Sequence, residues 1–206
     1  MRIRRPGLGS RQPLTTTRKA GPLLRLHVLT AVTRPENLPA LAESIAAAAA
    51  EAPDVAVVWH WRFDPERRNV GGHGLKNEML DRIQDGWVWI LDDDNLMLPE
   101  FLRELAQIAA REPRAAIIAC AQKLPHAGVR PVSRATLREQ QIDAAQVVAR
   151  RDAIGASRMP ERYSGDGAFI EEISRRLPDQ RIVYVETPIV AYNAIAARNA
   201  RQTPSD

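Results

Sequence analysis

Short apolar runs alternate along this chain with longer segments in which apolar residues recur at helical spacing. The short runs are rich in branched side chains, which is typical of buried strands. They predict strands at residues 24–32, 55–61, 87–91 and 115–121, one that ends near residue 150, and one at 181–193. Helices are predicted after residue 37, around 75–83, at 99–111 and at 165–177. This alternation predicts an α/β fold with a mostly parallel sheet covered on both faces.

Local signals refine two of these helices and one connection. Asn37 is placed to cap the first helix, with Pro39 in its first turn. In the second helix, Leu75 and Met79 share one apolar face with Leu80 and Ile83. Residues 122–132 contain no apolar period, so we predict a loop there.

Charge divides the chain unevenly. Residues 1–25 hold seven of the 29 basic residues and no acid, so 22 basic residues face 25 acidic ones in the remainder. We predict a basic flexible arm at residues 1–22, a single domain at 23–200 and a short tail at 201–206. The arm is either a solvated terminus or a contact with anionic lipid at a membrane surface. A nucleic-acid partner would depend on this arm alone, and none is predicted.

The chain has no apolar stretch long enough to span a bilayer and no apolar centre of a signal peptide near its start. A cytoplasmic location is therefore expected, with peripheral membrane contact through the arm as the alternative. Cys120 is the single cysteine and lies in an apolar run, so it is expected to be a buried structural residue.

Three carboxylates follow the strand at residues 87–91 directly. If strand geometry continues, Asp92 and Asp94 point to one side and Asp93 points away. Two carboxylates directed at one point repel each other unless a cation lies between them, and oxygen ligands suit Mg²⁺ or Mn²⁺. A simpler explanation is favourable charge near the start of the helix at residue 99. One acidic residue would be enough for that purpose, so we predict a metal site that includes Asp94 and Asp92.

Residues 71–105, with the sequence LDDDN behind an apolar strand, resemble the DxD region of GT-A fold nucleotide-sugar glycosyltransferases. They are most similar to the β-1,3-glucuronyltransferase family and also resemble short bacterial family 2 glycosyltransferases. A looser match in the order of elements extends over residues 24–193. The resemblance implies a metal-dependent transferase that moves a sugar from a nucleoside diphosphate, with UDP the expected nucleotide, to an acceptor hydroxyl with inversion. It makes Asp94 the direct metal ligand and assigns Asp92 and Asp93 to the ribose, the uracil or metal-bound water.

The resemblance also implies which residues hold the donor. The nucleotide base would lie after the first strand, near Thr30, Val32 and Arg34, and Asp64 resembles the acidic residue that holds uracil or ribose. Lys76 and Asn77, one turn into the second helix, would help to hold the nucleotide or its sugar. Ordinary roles remain open for all of them, namely a polar turn at residues 33–35, turn chemistry at Asp64 and a capped surface helix at Lys76.

An inverting transferase needs a base on the side of the site opposite the metal. Asp166 lies between two glycines at the start of a late helix, a position that resembles the base of family 2 enzymes, although a helix cap would explain it equally well. Glu171 and Glu172 are substitutes one turn later, and Asp143 is a further carboxylate near the acceptor side. All four histidines precede residue 127, so the late histidine ligand of many GT-A enzymes is missing, and either water or Asn193 would complete the metal coordination.

Two other classes of function remain open. A nucleotidyltransferase also places carboxylates and a metal on an α/β sheet, but it usually has a basic glycine-rich loop after the first strand, which TAVTRPENL lacks. A sugar-nucleotide-binding protein without turnover would share the donor residues but would lack the base.

Overall fold

The structure is a computed structural model that describes residues 24–64, 70–126 and 128–195. The predicted arm at residues 1–22 and tail at 201–206 lie outside the described residues. The strands are β1 (Leu24–Val32), β2 (Val55–Phe63), β3 (Trp87–Ile90), β4 (Leu96–Met97), β5 (Ile117–Lys123), β6 (Val129–Arg130), β7 (Val147–Arg150) and β8 (Ile182–Ala191). The helices are α1 (Leu38–Glu51), α2 (His73–Leu80), α3 (Phe101–Arg111), α4 (Arg151–Ile154) and α5 (Gly165–Arg175).

One mixed sheet organises these elements. Its strand order is β2-β1-β3-β7-β5-β8-β4, with β6 paired to β5. The long pairings of β1 with β2 and of β5 with β8 are parallel, as is β1 with β3, whereas β7 runs antiparallel to both of its neighbours. The predicted α/β fold of the GT-A type is confirmed, since most of the paired residues are parallel and helices cover both faces.

The two faces of the sheet carry separate apolar layers, because alternate strand residues point to opposite sides. Leu26, Val28 and Trp89 face α1 and α3, and the Trp89 ring centroid lies 4.4 Å from that of Phe101. On the opposite face, Leu29 and its neighbours pack with residues of α2 and α5. Both layers therefore hold the carboxyl ends of β1 and β3 in place, and in an open α/β sheet ligands gather at such ends.

Several local predictions need correction. Asn37 makes no capping hydrogen bond through its side chain, because it closes a 3₁₀ turn at Pro35–Asn37 that runs directly into α1. The segment predicted as a loop at 122–132 contains the end of β5 and the short strand β6, which pair as a hairpin. Strand β4 was not predicted, since two residues carry no detectable period. The second helix ends at Leu80, so Ile83 is buried in the turn beyond it.

Two further expectations concern single features. Cys120 is buried in β5, as predicted, and burial raises the pKa of its thiol well above the ordinary value. Among the described residues, no helix combines the length and the apolar character that crossing a membrane requires.

Candidate active site

A cavity of about 660 Å³ opens at the carboxyl end of β3. The start of α2, the hairpin strand β6, the loop at 140–143, the start of α5 and the turn after β8 complete its wall. Four carboxylates line it, and they come from elements far apart in the sequence: Asp92, Asp94, Asp143 and Asp166. The fold therefore concentrates negative charge at one edge of the sheet.

The three aspartates after β3 lie in a turn, in which the backbone nitrogen of Asn95 donates to the carbonyl of Asp92 at 3.1 Å, so the strand geometry assumed from the sequence does not continue through them. Asp92 and Asp94 line the cavity, whereas Asp93 is buried outside it. The carboxylate of Asp93 accepts hydrogen bonds from the backbone nitrogen of Thr33 at 2.6 Å and from that of Arg34 at 2.7 Å. The Thr33 hydroxyl adds a third bond at 3.1 Å. Asp93 thus ties the loop after β1 to the end of β3 and does not line the cavity.

Arg34 connects two of the aspartates. Its Nε donates to Oδ1 of Asp93 at 3.0 Å, and its Nη2 lies 2.8 Å from Oδ2 of Asp94. Partial burial opposes the charge of the guanidinium, but the carboxylates outweigh burial and raise the pKa of Arg34. The pKa of Asp94 is also raised, because burial and the charge of Asp92 outweigh the ion pair with Arg34. Arg34 alone therefore does not neutralise Asp94 fully.

Lys76 reaches the cavity from α2. Its side chain is only 2% exposed, and its Nζ lies 2.5 Å from Oδ1 of Asp92. Burial alone would lower the pKa of Lys76, but the charges of Asp92, Asp166 and Asp143 outweigh it and raise the pKa. Lys76 is therefore a permanent cation that holds Asp92 in position. The close approach of α2 depends on Gly72, since a Cβ there would lie 2.2 Å from the Cβ of Ala31.

Four other residues that were predicted to hold the donor do not line the cavity. Thr30 and Val32 are fully buried in β1, and the Thr30 hydroxyl accepts a hydrogen bond from Nε1 of Trp59 at 3.0 Å. The Asn77 amide is bonded twice to the backbone of Met159, at 2.8 and 3.0 Å. None of these side chains lines the cavity, and that of Asn77 supports the backbone at Met159. Asp64 is buried as well, and its backbone nitrogen donates to the carbonyl of Val32 at 2.8 Å.

The predicted base lies on the wall formed by the start of α5 and the loop at 140–143. Oδ2 of Asp166, in the first turn of α5, accepts a hydrogen bond from the backbone nitrogen of Ala144 at 3.2 Å. Asp143 lies beside it, and its Oδ1 accepts from the backbone nitrogen of Ala145 at 2.8 Å. Burial, reinforced by the charges of Asp92 and Asp166, raises the pKa of Asp143 to about 6. Both carboxylates are placed to take a proton from a bound molecule.

The substitutes for this base are occupied elsewhere. Glu171 accepts a hydrogen bond from the backbone nitrogen of Glu139 at 2.8 Å, and Glu172 accepts one from the Ser157 hydroxyl at 2.5 Å. Neither glutamate lines the cavity. The structure therefore leaves Asp166 and Asp143 as the carboxylates that could serve as a base on this wall.

Arg130 lines the same side of the cavity and was not singled out from the sequence. Its Nη1 donates to Oε1 of the buried Gln122 at 2.9 Å, and its guanidinium lies over the Tyr192 ring at 4.9 Å from the centroid. Oδ2 of Asp143 is 3.8 Å away, too far for a hydrogen bond. The sequence signal was weak, because Arg130 belongs to the two-residue strand that we predicted as loop.

His73 and Asn193 also line the cavity. His73 is buried, and its Nδ1 lies 3.0 Å from the carbonyl of Pro160. Burial and the nearby Lys76 lower the pKa of His73. Asn193 also lines the cavity, and its backbone nitrogen donates to the buried Asn95 at 2.9 Å.

The charges around the cavity fit a hard divalent cation. Lys76, Arg34 and Arg130 are fewer than the carboxylates they accompany, namely Asp92, Asp93, Asp94, Asp143 and Asp166. In the described part of the chain, no three His, Cys, Asp or Glu side chains are grouped as a metal site. Two carboxylates nevertheless suit Mg²⁺ or Mn²⁺, which take further oxygens from phosphate and water.

Comparisons with known proteins agree with this fold. The profile of the family described as "Glycosyltransferase like family 2" matches residues 20–160. No curated protein sequence matches the chain. The structure of S. aureus TarS 1–349 in complex with UDP-GlcNAc superposes with a TM-score of 0.61 and 13% identity, covering 82% of this chain and 58% of that chain.

A second solved structure covers more of this chain. Glucosyl-3-phosphoglycerate synthase from Mycobacterium tuberculosis, in complex with Mn²⁺, UDP-glucose and phosphoglyceric acid, superposes with a TM-score of 0.58 and 15% identity, covering 98% of this chain and 87% of that one. By contrast, the chain spans only 36% of the longer TarS structure. Because the profile covers more than half of its length, the chain belongs to the glycosyltransferase-like family 2, which confirms the resemblance that the sequence predicts.

Proposed function

We propose that this protein transfers a sugar from a UDP-sugar to an acceptor hydroxyl, with a divalent metal ion and with inversion at the anomeric carbon. The observation that carries the proposal is that Asp92 and Asp94, which follow β3, line one cavity together with Asp166 from the start of α5. The cavity thus combines a carboxylate pair for a metal and its diphosphate with a carboxylate for a base. The solved relatives support it, since one holds UDP-GlcNAc and another holds Mn²⁺ with UDP-glucose.

Asp94 and Asp92 are the proposed metal ligands. A diphosphate is itself anionic, so it would be repelled by a cavity in which carboxylates outnumber cations unless another positive charge were present. Mn²⁺ or Mg²⁺ would supply Lewis-acid stabilisation of the leaving nucleoside diphosphate. Lys76 and Arg34 hold the two carboxylates at fixed positions, and Asn193 is an additional oxygen donor on the cavity wall.

The nucleoside belongs beside the carboxyl ends of β1 and β2. Arg34 and Asp64 are its proposed contacts in this region, and the backbone after Thr30 and Val32 shapes the site. Asp93 and Asn77 act indirectly in this scheme, because their side chains are bonded to Thr33, Arg34 and Met159. Lys76 contributes a positive charge to the part of the cavity proposed for the phosphates of the donor.

Asp166 is the proposed base that takes the proton of the acceptor hydroxyl. Its carboxylate lines the cavity from the first turn of α5 and accepts a hydrogen bond from the backbone nitrogen of Ala144. Asp143 is the neighbouring carboxylate, and its raised pKa weakens it as an anion at the lower end of the physiological range. Arg130 lies on the same wall and is placed to hold the acceptor.

Donor binding is the first test. We expect UDP-sugars to raise the melting temperature of the wild-type protein only with Mn²⁺ or Mg²⁺ present, because a ligand that binds the native state stabilises it. Asp94→Ala should abolish the metal-dependent shift. Asp85→Ala is the matched control, since Asp85 is exposed and pairs with Arg25 away from the cavity. An unchanged metal-dependent shift in the Asp94 variant would contradict the metal assignment.

Turnover is tested separately by the release of UDP, with water as the default acceptor. A protein that binds donor with metal but releases no UDP in the presence of a broad acceptor set would support the sugar-nucleotide-binding alternative. Release of pyrophosphate from a nucleoside triphosphate would support a nucleotidyltransferase instead.

A further inference from the structure

Strand β2 forms one edge of the sheet and is unusually open. It pairs with β1 along nine residues, and no other described strand lies on its far side. Edge strands of natural proteins are usually short, bulged or protected by proline and lysine. The sequence VAVVWHWRF contains neither residue type, and Trp61 and Phe63 are 46% and 49% exposed. This edge of the sheet could therefore pair with a further strand.

The backbone groups available for pairing belong to alternate residues. The carbonyl of Asp54 accepts a hydrogen bond from Leu24, and the nitrogen of Asp64 donates to Val32. Because residues two apart in a strand direct their backbone groups to the same side, even-numbered residues of β2 face β1. The odd-numbered residues direct their N–H and C=O groups outwards, and all of them are apolar: Val55, Val57, Trp59, Trp61 and Phe63.

We infer that a second copy of this chain pairs antiparallel along β2 and forms a two-fold symmetric dimer with a continuous sheet. A two-fold axis at Trp59 places Val57 opposite Trp61 of the other copy and Val55 opposite Phe63. Pairs of an aromatic and a β-branched residue are among the favourable cross-strand contacts. The single formal charge of the strand, Arg62, lies opposite Ala56, so no like charges meet across the axis.

This self-matching pattern favours a second copy over other occupants. The sequences at residues 1–23 and 196–206 offer no alternating apolar run of comparable length, and the first is interrupted by Pro6, Pro13 and Pro22. An isologous contact also closes on itself, which limits assembly to a dimer. Helix α1 packs mainly against α3 and β4, and its apolar cluster with Val57 and Trp59 covers one face of β2, so it does not add a strand to the edge of β2.

The test is the molar mass in solution, measured by sedimentation equilibrium. We expect the wild-type chain to pass from monomer to dimer with concentration, within the range of about 1–100 µM in which modest interfaces associate. Trp61→Glu should raise the dissociation constant by at least about 30-fold, the scale of losing an interfacial tryptophan. Val129→Glu is the matched control, because Val129 is exposed to a similar degree on the separate strand β6.

A compensating variant tests the register. Val57→Lys added to Trp61→Glu places opposite charges across the proposed axis, whereas the two positions within one chain are about 13 Å apart. We expect the double variant to regain dimerisation, with circular dichroism confirming that each variant is folded. A wild-type monomer throughout the range, an unaffected Trp61→Glu dimer or a double variant that stays monomeric would overturn the proposal, as would assembly beyond a dimer.

Discussion

The two walls of the cavity treat their carboxylates differently. On the wall that follows β3, Asp92, Asp93 and Asp94 are each paired with Lys76 or Arg34. On the wall formed by the 140–143 loop and the start of α5, Asp143 and Asp166 accept backbone hydrogen bonds, Arg130 lies 3.8 Å from Asp143, and Lys76, which is bonded to Asp92, acts on both only through its charge. One wall is therefore an ion-paired framework, and the other keeps carboxylates that are weakly paired.

This difference matches the two tasks of a glycosyl transfer. A metal and a diphosphate need ligands that are held at fixed positions, which an ion pair with a neighbouring cation provides. A base needs a carboxylate that can gain and lose a proton, and a close cation would hold it ionised and less basic. The following experiments, from the largest expected effect to the smallest, would break or sharpen this comparison.

The framework wall should be the more important for stability. Asp93→Ala removes a buried carboxylate and leaves Arg34 and two backbone nitrogens without their acceptor, so we expect a loss of about 3–5 kcal/mol in the free energy of unfolding. Chemical denaturation measures it. Asp152→Ala, which removes an exposed pair with Arg150, should cost at most about 1 kcal/mol. Equal effects of the two variants would contradict the framework role.

The wall that holds Asp143 and Asp166 should show its weak ion pairing in the pH dependence of stability. The pKa of Asp143 is raised to about 6 in the folded protein, so this residue favours folding when protonated. Its contribution is present below its ordinary pKa and is lost as the pH rises towards 6, by about 2–3 kcal/mol in total. We expect Asp143→Asn to lose this decline.

The measurement compares the unfolding free energies of wild type and Asp143→Asn between about pH 4 and pH 7. As the pH rises over this range, the unfolding free energy of the wild type should fall relative to that of Asp143→Asn. Parallel profiles would show that Asp143 is not held at a raised pKa.

Asp166→Asn should separate binding from chemistry. The amide keeps the acceptor oxygen for the Ala144 nitrogen but cannot take a proton, so the transfer rate should fall by about 100-fold or more. Thermal shifts with UDP-sugar and metal should remain those of the wild type. A wild-type rate of UDP release would remove Asp166 from the base role and direct attention to Asp143.

The smallest effect is expected at Arg130. Arg130→Met keeps much of the side-chain length but loses the charge, and we expect the KM for the acceptor to rise by about tenfold, the scale of one charge-assisted hydrogen bond. The donor affinity should stay constant. A change confined to donor affinity would move Arg130 to the donor side of the cavity.

The fold was largely predictable because its long elements carry strong periodicity. Strands β1, β2 and β5 are rich in apolar residues, and α3 and α5 have clear apolar faces. The short pieces β4 and β6 were missed, since a two-residue strand exists only through its partner. The capping role predicted for Asn37 failed for a similar reason, because the preceding 3₁₀ turn already supplies the start of α1.

The site was predictable where charge density is anomalous within a single segment. Three aspartates after an apolar strand predicted a charge cluster, and Asp92 and Asp94 do line one cavity, whereas the cation site inferred from them stays a prediction. The same reasoning could not tell that Asp93 binds the loop after β1, nor that Asn77 binds the backbone of Met159. Both depend on residues more than fifty positions away.

The sequence alone determined the class of fold, the position of the charge cluster and the family resemblance, because each of these is written in local periodicity or in a contiguous motif. Only the tertiary structure decided which carboxylates are paired with a cation and which are not. The free energy of a charge depends on the groups within a few ångströms of it, and the fold brings those groups together from distant parts of the chain.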